Sequence, residues 1–471
     1  MIDELKGLGV AGRCVRIPPE MDVPLTDRVA RLLDTAALRR LSRISQLGLV
    51  QMVYPGAVHS RLEHSLGVYR NALLVLRNLT LGSGPGGSLT SRAAEAFLLA
   101  ALLHDAGHWP FCHAIEDMQL PGLRRHELRV AELVGGGEIA AALAADWAAD
   151  GDDVMSLLTG QRVGRSEMAA ESIELLASCL SGPIDVDKLD YLVRDSLHAG
   201  VPYGRHFDSA RLVGAMTVDP RQPRLAITDK GRTAAEMMVF ARYVMFSEVY
   251  WHHAVRSATA MLQRSVLLLR QHVDLEAMLQ LDDAGWIAAW RQAADRYECD
   301  QALTSATDRP QSGSGGCVAT SGVGGLVEGL FGPVRSLYKR AGEFSVSQRG
   351  ALHRSLARRP YWWLVACGDS LARGLAVETG LEIGPCDVLI DAPPVKMEVD
   401  INVAVVAREG PVRQLADVSP VADALARQQF DDHVKRVRIF VRPDLRPAIA
   451  PLLADDSRIR AAIEATENEI V

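Results

Sequence analysis

The sequence predicts a mainly α-helical protein with a smaller α+β domain at its C-terminal end. Apolar residues recur at helical spacing through much of the first 275 residues. The run Phe97–Leu103 is apolar on every side, which is typical of a helix buried in a core. Beyond about residue 345, short β-rich stretches separated by turn residues replace the helical pattern. A chain of 471 residues can hold two or three domains and bury a large core.

The N-terminal part of the chain is predicted to form an irregular arm over residues 1–25, because two adjacent prolines disfavour helix before them. Thr26 can cap the first helix, and apolar residues from Val29 onward line one of its faces. The helical pattern that follows indicates one domain over residues 26–275.

The central stretch joins an apolar helix to polar residues. Phe97–Leu103 leads directly into His104 and Asp105, and Gly107 and Pro110 then stop or bend the helix. Burying a carboxylate beside an imidazole is costly unless something offsets it, and a metal ion is the usual compensation. For this pair alone, the alternative is a histidine satisfied in the core with an aspartate that caps the helix.

Two other stretches offer further candidate ligands. A helix predicted from Arg61 carries His64 in its first turn. Farther along the chain, helical spacing puts Asp187, Tyr191 and Asp195 on one face. With the central pair, three helices supply two imidazoles and two carboxylates. Such a set suits Mn, Fe, Mg or Zn and leaves positions for water or substrate.

Three phrases of the sequence carry a resemblance to a known family: PGAVHSRLEHSLGV from residue 55, LLHDAGHWPFCH from 102 and IDVDKLDYLVRDSLHAGV from 184. In this order they resemble the HD-superfamily metal phosphohydrolases, and within them the deoxynucleoside-triphosphate triphosphohydrolase branch. The likeness runs from about Asp34 to Arg256. It implies a helical HD domain and a divalent metal, Mn, Mg, Fe or Zn. The implied ligands are His64, His104, Asp105 and Asp187.

The resemblance also implies which residues handle protons. His113, oriented by Glu116, matches a position that protonates the leaving 5′-oxygen or manages the attacking water. His126 belongs to the same set, and His108 is a further candidate. From the residues alone, the alternative is a polar network at a helix end.

Eight further positions match family residues that bind the nucleotide. They are Gln46 and Leu47 beside the sugar and base, Arg61, Lys188, Tyr191 and Arg242 at the triphosphate, Asp195 (with Gln46) at the 3′-hydroxyl, and Tyr250 beside the 2′ position. Without the resemblance, Gln46 is typical of a surface amide. The aromatic-rich helix around Tyr250 is likewise typical of a core.

The C-terminal part of the chain changes character after a helical and linker region over residues 276–344. Its Gly/Ser-rich stretch, 305–325, is predicted to be a mobile linker. A small α+β domain is expected over residues 345–471. Its predicted strands are Tyr361–Cys367, Asp387–Asp391, Ile401–Val406 and Val437–Val441.

A basic stretch lies near the last of these strands and contains Lys435, Arg436, Arg438 and Arg442. We expect it to be an exposed amphipathic strand. A nucleotide regulatory site or a subunit contact is the alternative.

Composition and charge indicate a cytoplasmic enzyme. No apolar run approaches the roughly 18 residues that a membrane span needs, and the acidic start of the chain lacks the apolar core of a secretion signal. The seven cysteines are scattered and form no C-x-x-C, which is typical of reduced thiols. A net charge of −7 gives no reason to expect nucleic acid as the main ligand.

The function that the resemblance implies is metal-dependent hydrolysis of deoxynucleoside triphosphates (dNTPs) to a deoxynucleoside and tripolyphosphate, with no organic cofactor. The alternatives are a nucleotide phosphatase, a phosphodiesterase for cyclic nucleotides or single-stranded nucleic acid, and a non-catalytic nucleotide-sensing assembly protein. Lys188 and Arg242 argue against a monophosphate substrate.

Partners are also implied by the resemblance. The family is often oligomeric, so we expect a homo-oligomer, either a dimer or a tetramer. It sometimes needs a nucleotide activator. The family's Asp-Pro-x-His-Gly phrase is replaced in this chain by Ile17-Pro-Pro-Glu-Met-Asp22, so the sequence does not predict activation by a guanine nucleotide.

Overall fold

Helices make up most of the chain in the computed structural model, and strands form only small sheets. The structure describes residues 2–9, 12–81, 89–306, 322–393, 403–427 and 434–470. These residues confirm the predicted class, a mainly helical protein whose C-terminal region mixes helices and strands.

The helices, in chain order, are α1 Asp3–Lys6, α2 Asp27–Leu33, α3 Ala36–Leu41, α4 Arg61–Leu81, α5 Ser91–Leu103, α6 Cys112–Glu116, α7 His126–Gly135, α8 Gly137–Asp146, α9 Gly151–Thr159, α10 Ala170–Leu180, α11 Val186–His198, α12 Ser209–Gly214, α13 Arg232–Met245, α14 His253–Leu269, α15 Leu275–Met278, α16 Asp283–Ala306, α17 Gly322–Phe331, α18 Gly350–Leu356, α19 Tyr361–Thr379, α20 Leu415–Val418, α21 Pro420–Arg427, α22 Arg446–Leu452 and α23 Ser457–Ile470.

The strands form three sheets among the described residues. They are β1 Cys14–Ile17, β2 Met21–Pro24, β3 Met216–Val218, β4 Leu225–Thr228, β5 Lys339–Phe344, β6 Val388–Asp391, β7 Ala404–Val406, β8 Arg413–Gln414 and β9 Val437–Val441. β1 and β2 form an antiparallel hairpin. The orders of the other two sheets are β3-β4-β7-β8, in which β4 and β7 are parallel, and β5-β9-β6, which is antiparallel.

The chain divides into two units, each with its own packing. The first takes its described residues from Met1–His108, Arg124–Phe246 and Val399–Phe430. The second takes them from Trp109–Leu123, Ser247–Glu398 and Asp431–Val471.

The core of the first unit is built around α4, α5 and α11. The side chain of Thr90 caps α5 by accepting a hydrogen bond from the Ala93 N–H at 3.1 Å. Every residue of α5 from Ala93 to Leu103 is buried, which confirms the prediction that the apolar run Phe97–Leu103 is a buried helix. α4 packs against both α5 and α11. The last turn of α5 therefore lies in the interior of the unit.

The second unit packs α19 and α22 on the three-stranded sheet, and α23 packs on α19. Its core includes Phe344 on β5, Ile439 on β9 and Leu371 on α19. Of the three strands predicted after residue 380, two are present in this sheet as β6 and β9, and the third is present as β7 in the first unit.

The strand predicted over Tyr361–Cys367 is wrong, because these residues begin helix α19. The aromatic residues favour a strand locally. However, Trp363, Leu364, Cys367 and Leu371 are all buried and recur at helical spacing. Because this face packs against β6 and α23, the helix is favoured over a strand.

The prediction for the basic stretch is also wrong, because β9 is buried along its whole length. It is the central strand of its sheet, so it has no exposed edge. Arg438 is buried and its Nε donates to Glu343 Oε2 at 2.8 Å, while Arg442 Nη1 donates to Asp387 Oδ1 at 3.0 Å. Carboxylates of neighbouring elements thus balance the charge.

Two further predictions concern chain segments outside these cores. The linker predicted over 305–325 lies mostly outside the described residues, and its ends belong to α16 and α17. Among the described residues, no helix is both long and apolar enough to cross a bilayer. None of the six described cysteines forms a disulfide.

The N-terminal segment is not the irregular arm that was predicted, because it contains α1 and the β1–β2 hairpin. Both strands bury residues, with Val23 fully buried. α1 is fixed through Glu4, whose carboxylate accepts hydrogen bonds from Arg28 Nε at 2.8 Å and Nη2 at 2.6 Å. Arg28 Nη1 also donates to Glu95 Oε1 at 2.7 Å, and its guanidinium lies 3.9 Å from the centre of the Trp147 ring. One cation therefore joins three segments.

We expect Arg28→Ala to destabilise the first unit by about 3–5 kcal/mol, because it leaves the buried carboxylates of Glu4 and Glu95 without their counter-ion. Arg31→Ala is the matched control, since it removes an exposed arginine that pairs with Asp146 and should change stability little. Urea unfolding of both variants measures the difference. Equal, small effects would show that Arg28 does not anchor the N-terminal segment.

Candidate metal centre

The four predicted metal ligands come from the ends of three packed helices. His64 lies in the first turn of α4 and Asp187 in the first turn of α11. His104 caps the C-terminal end of α5, and Asp105 follows it in the turn. Because α4 packs against α5 and α11, these helix ends meet inside the first unit.

The side chains of these residues lie close together. His64 Nε2 is 3.1 Å from Asp187 Oδ1, and His104 Nε2 is 3.3 Å from Asp105 Oδ1 and 4.0 Å from Asp187 Oδ1. The nitrogens of His64 and His104 and a carboxylate oxygen of Asp105 all lie within 4.8 Å of one another. The two imidazole rings meet edge to face, with centroids 5.3 Å apart. The group has the donors and the spacing to surround one cation.

The orientation of His104 fits a metal ligand. Its Nδ1 lies 2.9 Å from the carbonyl oxygen of Ala101, which can only accept, so Nδ1 carries the hydrogen. The lone pair is then on Nε2, which is buried and has no hydrogen-bond partner among the described residues. Leaving a buried acceptor unsatisfied is costly, whereas a cation held by Asp105 and Asp187 would satisfy it.

The electrostatics of the group also favour a cation. Burial opposes the charge of Asp187, but the hydrogen bond and charge of His64 outweigh it and lower the pKa of Asp187 to about 2. Burial likewise opposes the charge of Asp105, but His108, His104 and Arg61 hold its pKa well below the usual range. Both carboxylates are therefore anions.

His64 shows how strongly this region attracts positive charge. Burial alone would lower the pKa of His64, but Asp187 and Asp190 raise it to about 10. The same surroundings that hold a proton on the ring can hold a divalent cation in its place, with release of the proton. The residues present thus fit a divalent metal of the kind that imidazole and carboxylate bind together.

Two of the predicted proton-handling residues lie beside this group. His108 Nδ1 is 3.2 Å from Asp105 Oδ1, and the His108 and His126 rings have centroids 3.7 Å apart. Gly107 permits this approach, because a Cβ there would lie 2.2 Å from the carbonyl oxygen of His126. The structure therefore connects both histidines to a candidate ligand.

The other two proton-handling candidates, His113 and Glu116, belong to the second unit. His113 Nδ1 is 3.8 Å from Glu116 Oε2, which is longer than a hydrogen bond, and 66% of the His113 side chain is exposed. Tyr250, predicted to bind the sugar, also belongs to the second unit, where it ends the π-helical segment Phe246–Tyr250.

The predicted triphosphate residues fall into two places in the first unit. Arg61 Nη1 donates to Asp105 Oδ2 at 2.7 Å, beside the candidate ligands. Lys188, Tyr191 and Arg242 form the second group. Burial raises the pKa of Tyr191, while the positive charges of Arg242 and Lys188 oppose that rise. The positive charges of Arg242 and Lys188 therefore both act on the hydroxyl group of Tyr191.

The remaining predicted binding residues adjoin the start of α4. The Gln46 N–H donates to the carbonyl oxygen of His59 at 2.9 Å. Gln46 Oε1 is buried and has no hydrogen-bond partner among the described residues, and the adjacent Leu47 is half-buried. Asp195 Oδ1 lies 2.9 Å from His59 Nε2. These residues are therefore close in space although they are far apart in sequence.

Sequence reasoning missed the polar residues that surround the candidate ligands. Asp190 Oδ2 lies 2.9 Å from His64 Nδ1, and Arg194 Nη2 donates to Asp190 Oδ1 at 2.7 Å. The rings of His59 and His198 stack with centroids 4.3 Å apart. The i, i+4 spacing of Asp190 and Arg194 in α11 was a local signal, but nothing local identified their partner.

Comparison with known proteins gives two family matches. Residues 61–174 match the family model described as HD domain, and residues 207–305 match the model described as HD associated region. The first match includes His64, His104 and Asp105.

Three relatives illustrate the range of similarity. An uncharacterized protein of Methanocaldococcus jannaschii is 26% identical over 419 residues, which cover 88% of this chain and 76% of that protein. The deoxynucleoside triphosphate triphosphohydrolase SAMHD1 homolog of Dictyostelium discoideum is 34% identical over 195 residues, which cover 38% of this chain and 35% of that protein. The crystal structure of a hypothetical protein from Aquifex aeolicus matches with a TM-score of 0.66 and 24% identity, over 94% of this chain and 99% of that one.

The residues matched by the HD domain model include two of the three helix ends at which the candidate metal ligands meet. The match to the Aquifex structure shows a shared fold. The HD match begins at the first residue of α4 and runs past the end of α5, and α11 lies between the two matched regions. The matches over residues 61–174 and 207–305, with the similarity to proteins named as dNTP triphosphohydrolases, support a place for this chain in the HD superfamily, near its dNTPase-like branch.

Proposed function

We propose that this protein is a metal-dependent hydrolase that cleaves dNTPs at the α-phosphorus, giving a deoxynucleoside and tripolyphosphate. The observation that carries the proposal is the convergence of His64, His104, Asp105 and Asp187, with His104 Nε2 buried and directed at two carboxylates. The HD match and the similarity to proteins named as dNTP triphosphohydrolases support the substrate class.

The four ligand residues would hold one divalent metal ion. A bound divalent cation polarises a phosphoryl group and can lower the pKa of a water molecule toward about 7. Asp105 and Asp187 supply two negative charges, and Arg61 fixes one carboxylate by donating to Asp105. The protein thus sets the charge and the direction of the donors before substrate binds.

Proton transfer at the 5′-oxygen is the second part of the proposal. Attack of water at the α-phosphorus breaks the bond to the 5′-oxygen, and this leaving oxygen needs a proton. His126, whose ring lies against that of His108 beside Asp105, would donate it. His113 and Glu116 are the alternative pair.

The triphosphate would lie along the cationic group formed by Lys188, Tyr191 and Arg242. Lys188 Nζ is 2.5 Å from Asp185 Oδ2. Burial by itself would lower the pKa of Lys188, but the negative charge of Asp185 has the larger effect and the pKa is raised. Lys188 is therefore a cation at neutral pH. Binding of the outer phosphates there would leave the α-phosphorus for the ligand group.

The deoxyribose would be recognised at the other end of the substrate. Asp195 and Gln46 would take the 3′-hydroxyl. Gln46 Oε1, which is buried without a hydrogen-bond partner among the described residues, is an available acceptor. Leu47 would border the base, and Tyr250 would exclude a ribose 2′-hydroxyl.

We expect His104→Ala to lose bound metal and to lower turnover by more than the roughly 10–100-fold that changes around a ligand cause. His206→Ala is the control, since His206 is an exposed histidine of the same unit. Metal content measured by mass spectrometry, together with phosphate release, decides the point. Full metal occupancy in His104→Ala would reject the ligand assignment.

A second test separates proton transfer from metal binding. His126→Ala should keep its metal and lose about 10²–10⁴ in turnover, the usual contribution of a general acid. His113→Ala, measured beside it, tests the alternative pair. If His113→Ala were impaired and His126→Ala were not, the proton donor would be His113.

The products identify the bond that breaks. Phosphorus NMR of a dATP or dGTP digest should show tripolyphosphate as the first product, because the outer phosphates are held away from the ligand group. Early pyrophosphate with a monophosphate would indicate attack that leaves the 5′-oxygen bonded to phosphorus. Early orthophosphate would indicate a phosphatase. Either result would refute the proposed substrate pose.

A further inference from the structure

The orientation of His64 depends on a side chain that is outside the candidate ligand set. His64 Nδ1 lies 2.9 Å from Asp190 Oδ2, and both residues are buried. An ionised carboxylate can only accept a hydrogen bond, so Nδ1 carries the hydrogen. Nε2 is then the nitrogen available to a metal, and it is the one that lies 3.1 Å from Asp187 Oδ1.

Asp190 is itself held rigidly. Arg194, one turn later on α11, donates to both of its oxygens, from Nε at 2.8 Å and from Nη2 at 2.7 Å. Arg194 Nη1 also donates to Glu63 Oε1 at 2.7 Å and to the carbonyl oxygen of Pro18 at 2.9 Å. Arg194 has no exposed surface. A bidentate, fully buried clamp of this kind fixes the direction of the carboxylate as well as its charge.

Gly67 gives an independent indication that this clamp is built into the helix packing. It lies on α4, one turn after His64. A Cβ at this position would lie 1.8 Å from Asp190 Oδ1 and 2.5 Å from Arg194 Nη2. Glycine is unfavourable inside a helix, so its presence at this position is explained by the space that the clamped pair occupies.

The other candidate histidine is oriented differently. His104 Nδ1 lies against the backbone carbonyl of Ala101, an acceptor that no side-chain substitution removes. Only His64 depends on a side chain for its orientation. The role of Asp190 can therefore be tested by substituting its side chain.

We infer that Asp190 is a positioning residue that directs His64 Nε2 at the metal, and that Arg194 and Gly67 hold Asp190 in place. The inference rests on the proposed metal-dependent function. Carboxylates that receive the second N–H of a ligating histidine typically account for about 10–100-fold in metal affinity. We expect a loss of that size when Asp190 is changed.

The test measures Mn²⁺ affinity of the full-length metal-free protein by competition with a chelating dye, without substrate. Asp190→Asn should weaken Mn²⁺ binding about 10–100-fold. Asp153→Asn is the matched control, because Asp153 is also buried and paired with an arginine, Arg92, at 2.7 Å. It should lose stability similarly and keep its metal affinity. Melting temperatures of both variants establish that match.

Two substitutions test the clamp without touching Asp190. Gly67→Ala should weaken Mn²⁺ binding although Gly67 is not a candidate ligand. Gly135→Ala, at a helical glycine with open space around it, should not. Arg194→Lys keeps the charge, loses the bidentate geometry and should show an intermediate loss of affinity.

The outcomes separate the inference from the function on which it rests. Wild-type affinity in Asp190→Asn, Gly67→Ala or Arg194→Lys, with weak binding in His104→Ala, would overturn the positioning role alone. Failure of the wild-type protein to bind Mn²⁺, or unchanged binding in His104→Ala, would overturn the metal function itself. If Asp190→Asn did not fold, Gly67→Ala and Arg194→Lys would decide the question.

Discussion

The contact between His64 and Asp190, across the packed helices α4 and α11, is the interaction on which the geometry of the candidate metal centre depends. It places ionisable groups in a buried interior, where an uncompensated charge would be very costly. Arg194 offsets the charge of Asp190, and the candidate ligands Asp105 and Asp187 face the two imidazoles. The apolar helix α5 makes this possible, because it packs on all sides while its end presents His104. Hydrophobic packing of the helices thus determines the positions of the buried ionisable side chains.

Cations near the centre are already paired with carboxylates before any substrate binds. Arg61 donates to Asp105, and Lys188 to Asp185. An incoming phosphate must therefore compete with a carboxylate for each of these cations. A triphosphate, with several anionic oxygens and bidentate geometry toward arginine, is suited to that competition, whereas a neutral ligand is not.

Local sequence predicted the parts of this structure that local chemistry decides. The apolar run before His104 indicated a buried helix, and the family phrases indicated which residues meet. The role of Asp190 could not be predicted in the same way, because its partner His64 is 126 residues distant in the chain. The strand wrongly predicted at Tyr361 has the related cause: aromatic residues favour strands locally, but burial of one helical face against a sheet overrides that preference. Similarly, prolines suggested an irregular arm where cross-strand pairing forms a hairpin.

The carbonyl of Pro18 lies in the turn between β1 and β2 and accepts a hydrogen bond from Arg194, the same arginine that clamps Asp190. The first hairpin of the chain is thereby only two side chains away from His64. Trimming the N-terminus beyond this turn, a common step when crystallisable fragments are sought, would remove one of the two acceptors of the buried Arg194 Nη1. The hairpin should accordingly be retained in any shortened form used to characterise the protein.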